Sequence, residues 1–86
     1  MRITFHLQFQ KHCKKLNSKQ RQHVSERLHL FLDDPFHPTL NNHALKGKYL
    51  DYRSINITGN LRAIYKSVNE NECIFVALDT HSNLYS

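Results

Sequence analysis

The chain has 86 residues, 40% of them hydrophobic and 10% aromatic, and its twelve Lys and Arg against seven Asp and Glu give a formal net charge of +5 and a pI near 9.5. A chain of this length is too short for two independent cores and too apolar to be disordered, so we expect one folded domain over residues 1–86. The lack of an 18-residue apolar run and the early polar residues at the N-terminus argue against a membrane span and a secretory leader, which predicts a cytoplasmic protein.

The N-terminal half predicts one strand and two helices. Apolar residues alternate with polar ones over positions 1–7, which is typical of a half-buried strand. Helical spacing follows in a short amphipathic segment, whose apolar side is Phe9, Cys13 and Leu16. A second helix begins after a cap at Asn17 or Ser18 and ends at residues 33–35. Its apolar stripe is Val24, Leu28, Phe31 and Leu32.

The C-terminal half predicts an antiparallel meander. After a loop at residues 36–42, stretches rich in β-branched and aromatic residues cover positions 52–58, 61–68 and 73–79, with tight turns between them. The last stretch is almost continuously apolar, which predicts a central strand covered by the helices on at least one face. We therefore expect an α+β fold with an N-terminal strand, two helices and a meander of three to four strands.

Composition and motifs limit the possible chemistry. The basic balance favours a polyanionic partner, either nucleic acid or an acidic protein, although a surface that is basic only for solubility is the alternative on charge alone. The seven histidines and two cysteines show no zinc-site spacing, and the sequence lacks a Gly-rich phosphate loop, a paired-carboxylate motif and a G-x-S-x-G elbow. We expect no metal, no cofactor and two free thiols, Cys13 and Cys73.

Polar side chains cluster around the predicted meander instead. Alternation along residues 52–58 places Arg53 with the isoleucines that face the helices, and leaves Asn56 on an open face of the sheet that Arg62 can share. The whole cluster consists of His43, Lys46, Lys48, Arg53, Asn56, Asn60, Arg62, His81 and Tyr85.

The same stretch contains an ordered set of short motifs. They are H-x-L-x-G from His43, the pair Tyr52-Arg53, a polar strand and tight turn, R-x-I-Y from Arg62, and T-H-x-x-L-Y from Thr80. In this order and spacing the motifs resemble the RelE/ParE superfamily of toxins, specifically its YafQ-like branch. The resemblance covers the whole chain in element order and is sharp from residue 43 to residue 85.

The resemblance implies a toxin of a type II toxin–antitoxin pair, which enters the ribosomal A site and cleaves the mRNA there without a metal. In that reaction the ribose 2′-hydroxyl attacks the neighbouring phosphate. The protein must therefore supply a base for the hydroxyl, an acid for the leaving 5′-oxygen and cations for the charged phosphorane.

By position in the motifs, the implied catalytic residues are His43, His81, Tyr85 and Arg62. Arg62 is expected to contact the phosphate and Tyr85 to stack on or orient a base, and His81, at the end of the sheet, is expected to transfer a proton. The residues implied to hold mRNA or ribosomal RNA are Lys46, Lys48, Arg53, Asn56 and Asn60.

Two departures from the YafQ pattern leave competing interpretations. Asn56 stands where that branch commonly has a histidine, and Asn60-Leu61 stands where it has an Asp-Trp pair; an asparagine orients a ligand but exchanges no proton at neutral pH. The alternatives are a ParE-type inhibitor of DNA gyrase and a toxin that binds its antitoxin without catalysis. In every case we expect an acidic antitoxin that masks the basic face, with oligomerisation through that partner.

Overall fold

The computed structural model describes residues 1–85, and the side chains of residues 1–84. The first half consists of strand β1 (Arg2–Phe5) and helices α1 (Leu7–Lys14) and α2 (Ser18–Asp33). The second half consists of β2 (His43–Ala44), β3 (Arg53–Asn56), β4 (Leu61–Asn69), β5 (Glu72–Thr80) and the short helix α3 (His81–Tyr85). Single 3-10 turns lie at Pro38–Leu40 and Gly47–Tyr49. The predicted α+β class is confirmed.

The five strands form one mixed sheet in the order β1-β5-β4-β3-β2. Strands β2 to β5 pair antiparallel, as the predicted meander requires. Strand β1 pairs parallel with β5, from Arg2 opposite Glu72 to Phe5 opposite Phe75. This pairing places β5 between two neighbours, in the central position that its continuous apolar sequence predicts.

Side-chain caps set the helix boundaries. Alternation predicts that Leu7 ends the first strand, but Leu7 begins α1 and is exposed. The helix begins there because His6 caps it, accepting a hydrogen bond from the Gln8 N–H through Nδ1 at 3.0 Å. A reciprocal capping box between Asn17 and Gln20 starts α2, as predicted. Among the described residues, no helix is long and apolar enough to cross a membrane.

The main core lies between the sheet and helices α1 and α2, and we call this side of the sheet the helix face. Ile55 and Ile57 are fully buried there, as alternation predicted. Leu40 is also fully buried, so the segment expected to be a plain loop at residues 36–42 is anchored in the core by a 3-10 turn. The remaining buried members are Phe9, Val24, Phe31, Leu61, Ala63, Tyr65, Cys73, Phe75 and Leu78.

A smaller core lies on the opposite side of the sheet, which we call the site face. It consists of Leu45, Ile64, Ala77 and Leu84, with Tyr49, Tyr52 and Val76 packed against it. The face expected to be open is therefore partly covered, because residues 45–52 and α3 place apolar side chains on it. Its polar residues lie around this smaller core.

Burial of Cys73 gives the fold a specific weakness at alkaline pH. Burial raises the pKa of the Cys73 thiol from its ordinary 9.0 to about 11. The unfolded chain therefore loses this proton at a lower pH than the folded chain, so stability is complete below pH 9 and falls as the pH rises toward 11. We expect a loss of about 2 to 3 kcal/mol from this group. Urea unfolding at pH 8.5 and at pH 11 should show a smaller loss for Cys73→Val than for the parent; equal losses would contradict the assignment.

Candidate functional site

A row of polar residues crosses one end of the site face. Asn56 on β3 lies opposite Arg62 on β4, which in turn lies opposite Asp79 on β5. His43 on β2 lies opposite Ser54, two residues from Asn56 along β3. Because directly paired residues share a face of the sheet, the side chains of all five residues belong to the site face.

The hydrogen bond of His43 defines its tautomer. Its Nδ1 atom lies 2.8 Å from the carbonyl oxygen of Asn41, a residue in the left-handed conformation with φ of 45°. A carbonyl oxygen can only accept, so Nδ1 carries the proton and Nε2 of the neutral ring has a lone pair. His43 is exposed, so this lone pair belongs to a ring that a ligand can reach.

Arg62 holds the turn between β3 and β4. Its guanidinium donates to the carbonyl oxygens of Thr58 at 2.8 Å, Gly59 at 3.0 Å and Leu61 at 3.2 Å. A guanidinium has five N–H donors, so two remain for a ligand while the three turn contacts persist. Arg62 therefore presents a positive charge next to Asn56 without needing to leave its position.

His81 lies against the same turn at the start of α3. Its backbone N–H donates to the Asn60 carbonyl at 2.8 Å, and its side chain is exposed. Thr80 caps the helix by accepting from the Asn83 N–H at 3.2 Å, and Asp79 accepts from the Asn83 side chain at 3.2 Å. These contacts explain why Thr80 precedes His81 in the motif: the threonine holds the helix that carries the histidine.

Two buried polar atoms on β3 have no partner among the described residues. They are Oγ of Ser54, a fully buried residue, and Oδ1 of Asn56. Buried polar atoms in native proteins are nearly always hydrogen-bonded to protein or to ordered water, so these two atoms are candidates for a bond to a water or to a ligand. Asn56 Oδ1 lies next to Arg62 but is shielded from solvent, so a ligand hydroxyl reaches it only when the Asn56 side chain turns outward.

Arg53 lies on the helix face, away from His43 and Asn56. Its Nε donates to Asn42 Oδ1 at 2.8 Å, and its guanidinium lies 5.3 Å from the ring centre of Phe36. The Asn42 side chain in turn donates to the Tyr65 hydroxyl at 2.7 Å and to the Pro35 carbonyl at 2.9 Å. Burial raises the pKa of Tyr65, while the bond from Asn42 and the charge of Arg53 act in the opposite direction. This network fixes the segment that leads into His43.

The other predicted residues lie around the site face. Lys46 and Lys48 are exposed on the segment between β2 and β3, and Asn60 contributes its backbone carbonyl to His81. The side chain of Tyr85 lies outside the described residues. Within the described part of the chain, no group of three or more His, Cys, Asp or Glu side chains is placed to hold a metal ion.

The sequence reasoning missed Ser54, Asp79 and Asn42. Asp79 lies two residues before His81 and opposite Arg62 in the β4–β5 hairpin. The spacing of the two strands around their turn predicts this pairing. Ser54 alternates with Asn56 and was available from the same period-two pattern. Asn42 had no such signal, because its three contacts are with a preceding loop and two different strands.

Comparison with solved structures places the fold among bacterial toxins. YafQ from E. coli superposes with a TM-score of 0.78 at 22% identity, covering 100% of both chains. A YoeB/ParE toxin from Agrobacterium tumefaciens has a TM-score of 0.77 at 18% identity, covering 94% of this chain and 99% of that one. YafQ in the E. coli DinJ-YafQ complex has a TM-score of 0.69 at 20% identity, covering 100% of both chains. The chain shares the fold of these three structures.

The family follows from the sequence of the whole chain. Residues 1–86 match the family model described as "Bacterial toxin of type II toxin-antitoxin system, YafQ". The chain belongs to this family of YafQ toxins, so the resemblance inferred from the motifs is confirmed. A search among curated proteins finds no match.

Proposed function

We propose that this toxin is a metal-independent endoribonuclease that cleaves mRNA in the ribosomal A site. The observation that carries the proposal is the shared face of the sheet, where His43 and Arg62 flank the unpartnered Oδ1 of Asn56. The net charge of +5 supports a polyanionic substrate. A gyrase inhibitor would need no such set of proton-transfer and phosphate-binding groups.

The geometry supports a role for each residue. His43, with its proton on Nδ1, is the base that accepts the proton of the 2′-hydroxyl at Nε2. His81, on the far side of Arg62, is the acid that protonates the leaving 5′-oxygen. The attacking and leaving oxygens of a phosphoryl displacement are roughly in line, so a base and an acid on opposite sides of the phosphate suit this reaction. The two remaining donors of Arg62 stabilise the phosphorane.

Asn56 orients the substrate in this scheme. When the substrate binds, the Asn56 side chain turns outward and its Oδ1 accepts a hydrogen bond from a ribose hydroxyl, while proton transfer rests on the two histidines. Tyr85 is proposed to stack on a base. The RNA backbone is proposed to be held by Lys46, Lys48 and the turn that contains Asn60. Arg53 acts from the helix face, by fixing the segment before His43.

The test is a cleavage assay on ribosomes programmed with a defined mRNA. Purified toxin should produce new 3′ ends within the codon in the A site, and purified DNA gyrase should retain full supercoiling activity in its presence. If the 3′ ends are unchanged, the nuclease proposal is wrong. Inhibition of supercoiling would favour the ParE-type alternative, and loss of both effects would favour a toxin without catalysis.

The helix face carries a groove that suits the expected antitoxin. An open groove of about 850 Å³ lies between β1 and the two long helices. Its lining includes the exposed apolar residues Met1, Phe5 and Leu32, with Lys14 and Arg21 among its polar residues. Apolar surface beside cations is complementary to an amphipathic acidic segment. Because the E. coli neighbour was solved in a DinJ-YafQ complex, we propose an acidic antitoxin as the occupant.

Leu32→Glu should separate antitoxin binding from cleavage. A carboxylate in the groove repels an acidic segment and removes apolar contact, so we expect the affinity for the antitoxin encoded in the neighbouring reading frame to fall about tenfold or more. The cleavage rate should be unchanged. The matched control is Val68→Glu, since Val68 is also exposed but lies away from the groove. Equal affinities of the two variants would place the antitoxin elsewhere.

A further inference from the structure

Two tyrosines on the site face lie under lysine side chains. The ring centres of Tyr49 and Tyr52 are 6.1 Å apart, with their planes at 76°. The Lys48 ammonium lies 5.3 Å from the ring centre of Tyr49, and the Lys66 ammonium lies 5.5 Å from that of Tyr52. We call these four residues the tyrosine platform.

Each ring of the platform has a packed side and a solvent side. Both tyrosines are half-buried and pack against the smaller core of the site face. Lys48 and Lys66 are exposed, so the side of each ring that carries an ammonium is the side that faces water. An exposed ammonium is held only weakly over an aromatic ring, so a planar ligand can take its place.

The backbone between the tyrosines is strained. Asp51 has a φ of 75°, in the left-handed region that residues with a side chain rarely adopt. Gly47, at the start of the same segment, has a φ of 66°, which a glycine adopts without strain. Strain of this kind persists where the surrounding structure enforces it, and it concentrates at ligand sites. Here it accompanies a turn that brings both rings to the same side of the sheet.

The platform is continuous with the candidate catalytic residues. Leu45, two residues beyond His43, donates its backbone N–H to the Tyr52 carbonyl oxygen at 3.0 Å. Tyr52 and Ser54 are two residues apart on the same face of the strand, so their side chains are about 7 Å apart. Ser54 in turn lies opposite His43. A strand of nucleic acid bound at His43 would therefore continue directly over the tyrosine rings.

We propose that the tyrosine platform binds unpaired bases of single-stranded RNA. The tyrosine rings stack on the bases, and Lys48 and Lys66 move from the rings to the flanking phosphates. Aromatic faces combined with cations are the usual means of holding single-stranded nucleic acid without sequence preference. The position next to the cleaved bond rests on the proposed nuclease function; binding itself does not.

Equilibrium binding of a short fluorescent single-stranded RNA tests this inference. The measurement uses the full chain with His43→Ala, so that the probe stays intact. In this background Tyr52→Leu should raise the dissociation constant about 5-fold to 100-fold. Tyr52→Phe keeps the ring, so its dissociation constant should stay close to that of the protein with His43→Ala alone. Thermal unfolding shows whether each variant is folded.

A charge variant keeps the test decisive if Tyr52→Leu fails to fold. Lys48→Gln combined with Lys66→Gln alters only exposed side chains. It should reduce the slope of log K against log salt concentration by about 0.7 for each lysine that contacts a phosphate. The matched control is Lys11→Gln with Lys19→Gln, which removes the same charge from the exposed surface of α1 and α2 and should leave the slope unchanged.

A second arm distinguishes two sources of the RNA. If the platform holds mRNA, the variants weaken binding to the free oligonucleotide; if it holds ribosomal RNA, they weaken binding to vacant 30S subunits. Both results support the proposal. It is overturned if RNA affinity is unchanged in both arms, or if the variants weaken only the binding of the antitoxin. A parent chain that binds RNA through Tyr52 but never cleaves it would refute the nuclease function and leave the platform in place.

Discussion

Replacing His43 by alanine is expected to lower the rate of RNA cleavage by about 10²-fold to 10⁴-fold, the usual contribution of a positioned general base. The Asn41 carbonyl holds the proton on Nδ1, so the variant loses the lone pair of Nε2 that would accept the proton of the 2′-hydroxyl. His43 is exposed, so the fold should be unaffected. The measurement is single-turnover cleavage on programmed ribosomes, with the thermal unfolding midpoint recorded for each variant.

The control for this prediction is His23→Ala. His23 lies on α2, where its ring is 3.9 Å from Glu26, a surface pair that contributes little to stability. It is remote from the site face, so its loss should leave cleavage at the parent rate. A His43→Ala protein that cuts as fast as this control would remove His43 from the mechanism. The same assay on His81→Ala tests the proposed acid.

Local patterns predicted most of the elements because the forces behind them are local. The Asn17 cap and the apolar run of β5 are each encoded within a few residues, and both appear where expected. Leu7 continues the alternation of the first strand, yet His6 caps a helix there, because a hydrogen bond to the backbone outweighs a two-residue pattern. The parallel pairing of β1 with β5 joins residues about 70 positions apart, and no local pattern specifies such a partner.

Alternation predicted the face of the sheet on which Arg53 lies. The period-two pattern placed Arg53 with the isoleucines on the helix face, and the structure has it there, bonded to Asn42. The role of Arg53 in holding RNA is implied by the motif alone and stays a prediction. The contacts of Arg62 were beyond prediction, because a long side chain chooses among partners that only the folded turn provides.

Arg62→Ala is expected to lower the cleavage rate by about 10²-fold to 10³-fold, because the variant loses one preorganised group that stabilises charge in the transition state. Arg62→Lys should lose less activity, because it keeps the positive charge. A lysine has three donors on a single nitrogen, so it cannot hold the carbonyls of Thr58 and Gly59 and present a fork to the phosphate together. Rates and unfolding midpoints of both variants should be measured side by side.

The structural share of this effect can be isolated with Arg27→Ala. Arg27 on α2 donates to the Ile57 carbonyl at 3.2 Å, just before the turn that Arg62 holds, but from the helix face. Both alanine variants therefore lose arginine bonds to neighbouring backbone carbonyls, and each should be destabilised by about 1 to 3 kcal/mol. Only Arg62→Ala should also lose cleavage measured below its unfolding transition. If the two variants cleave equally slowly, Arg62 serves the turn and not the phosphate, and the charge that stabilises the phosphorane must come from another residue.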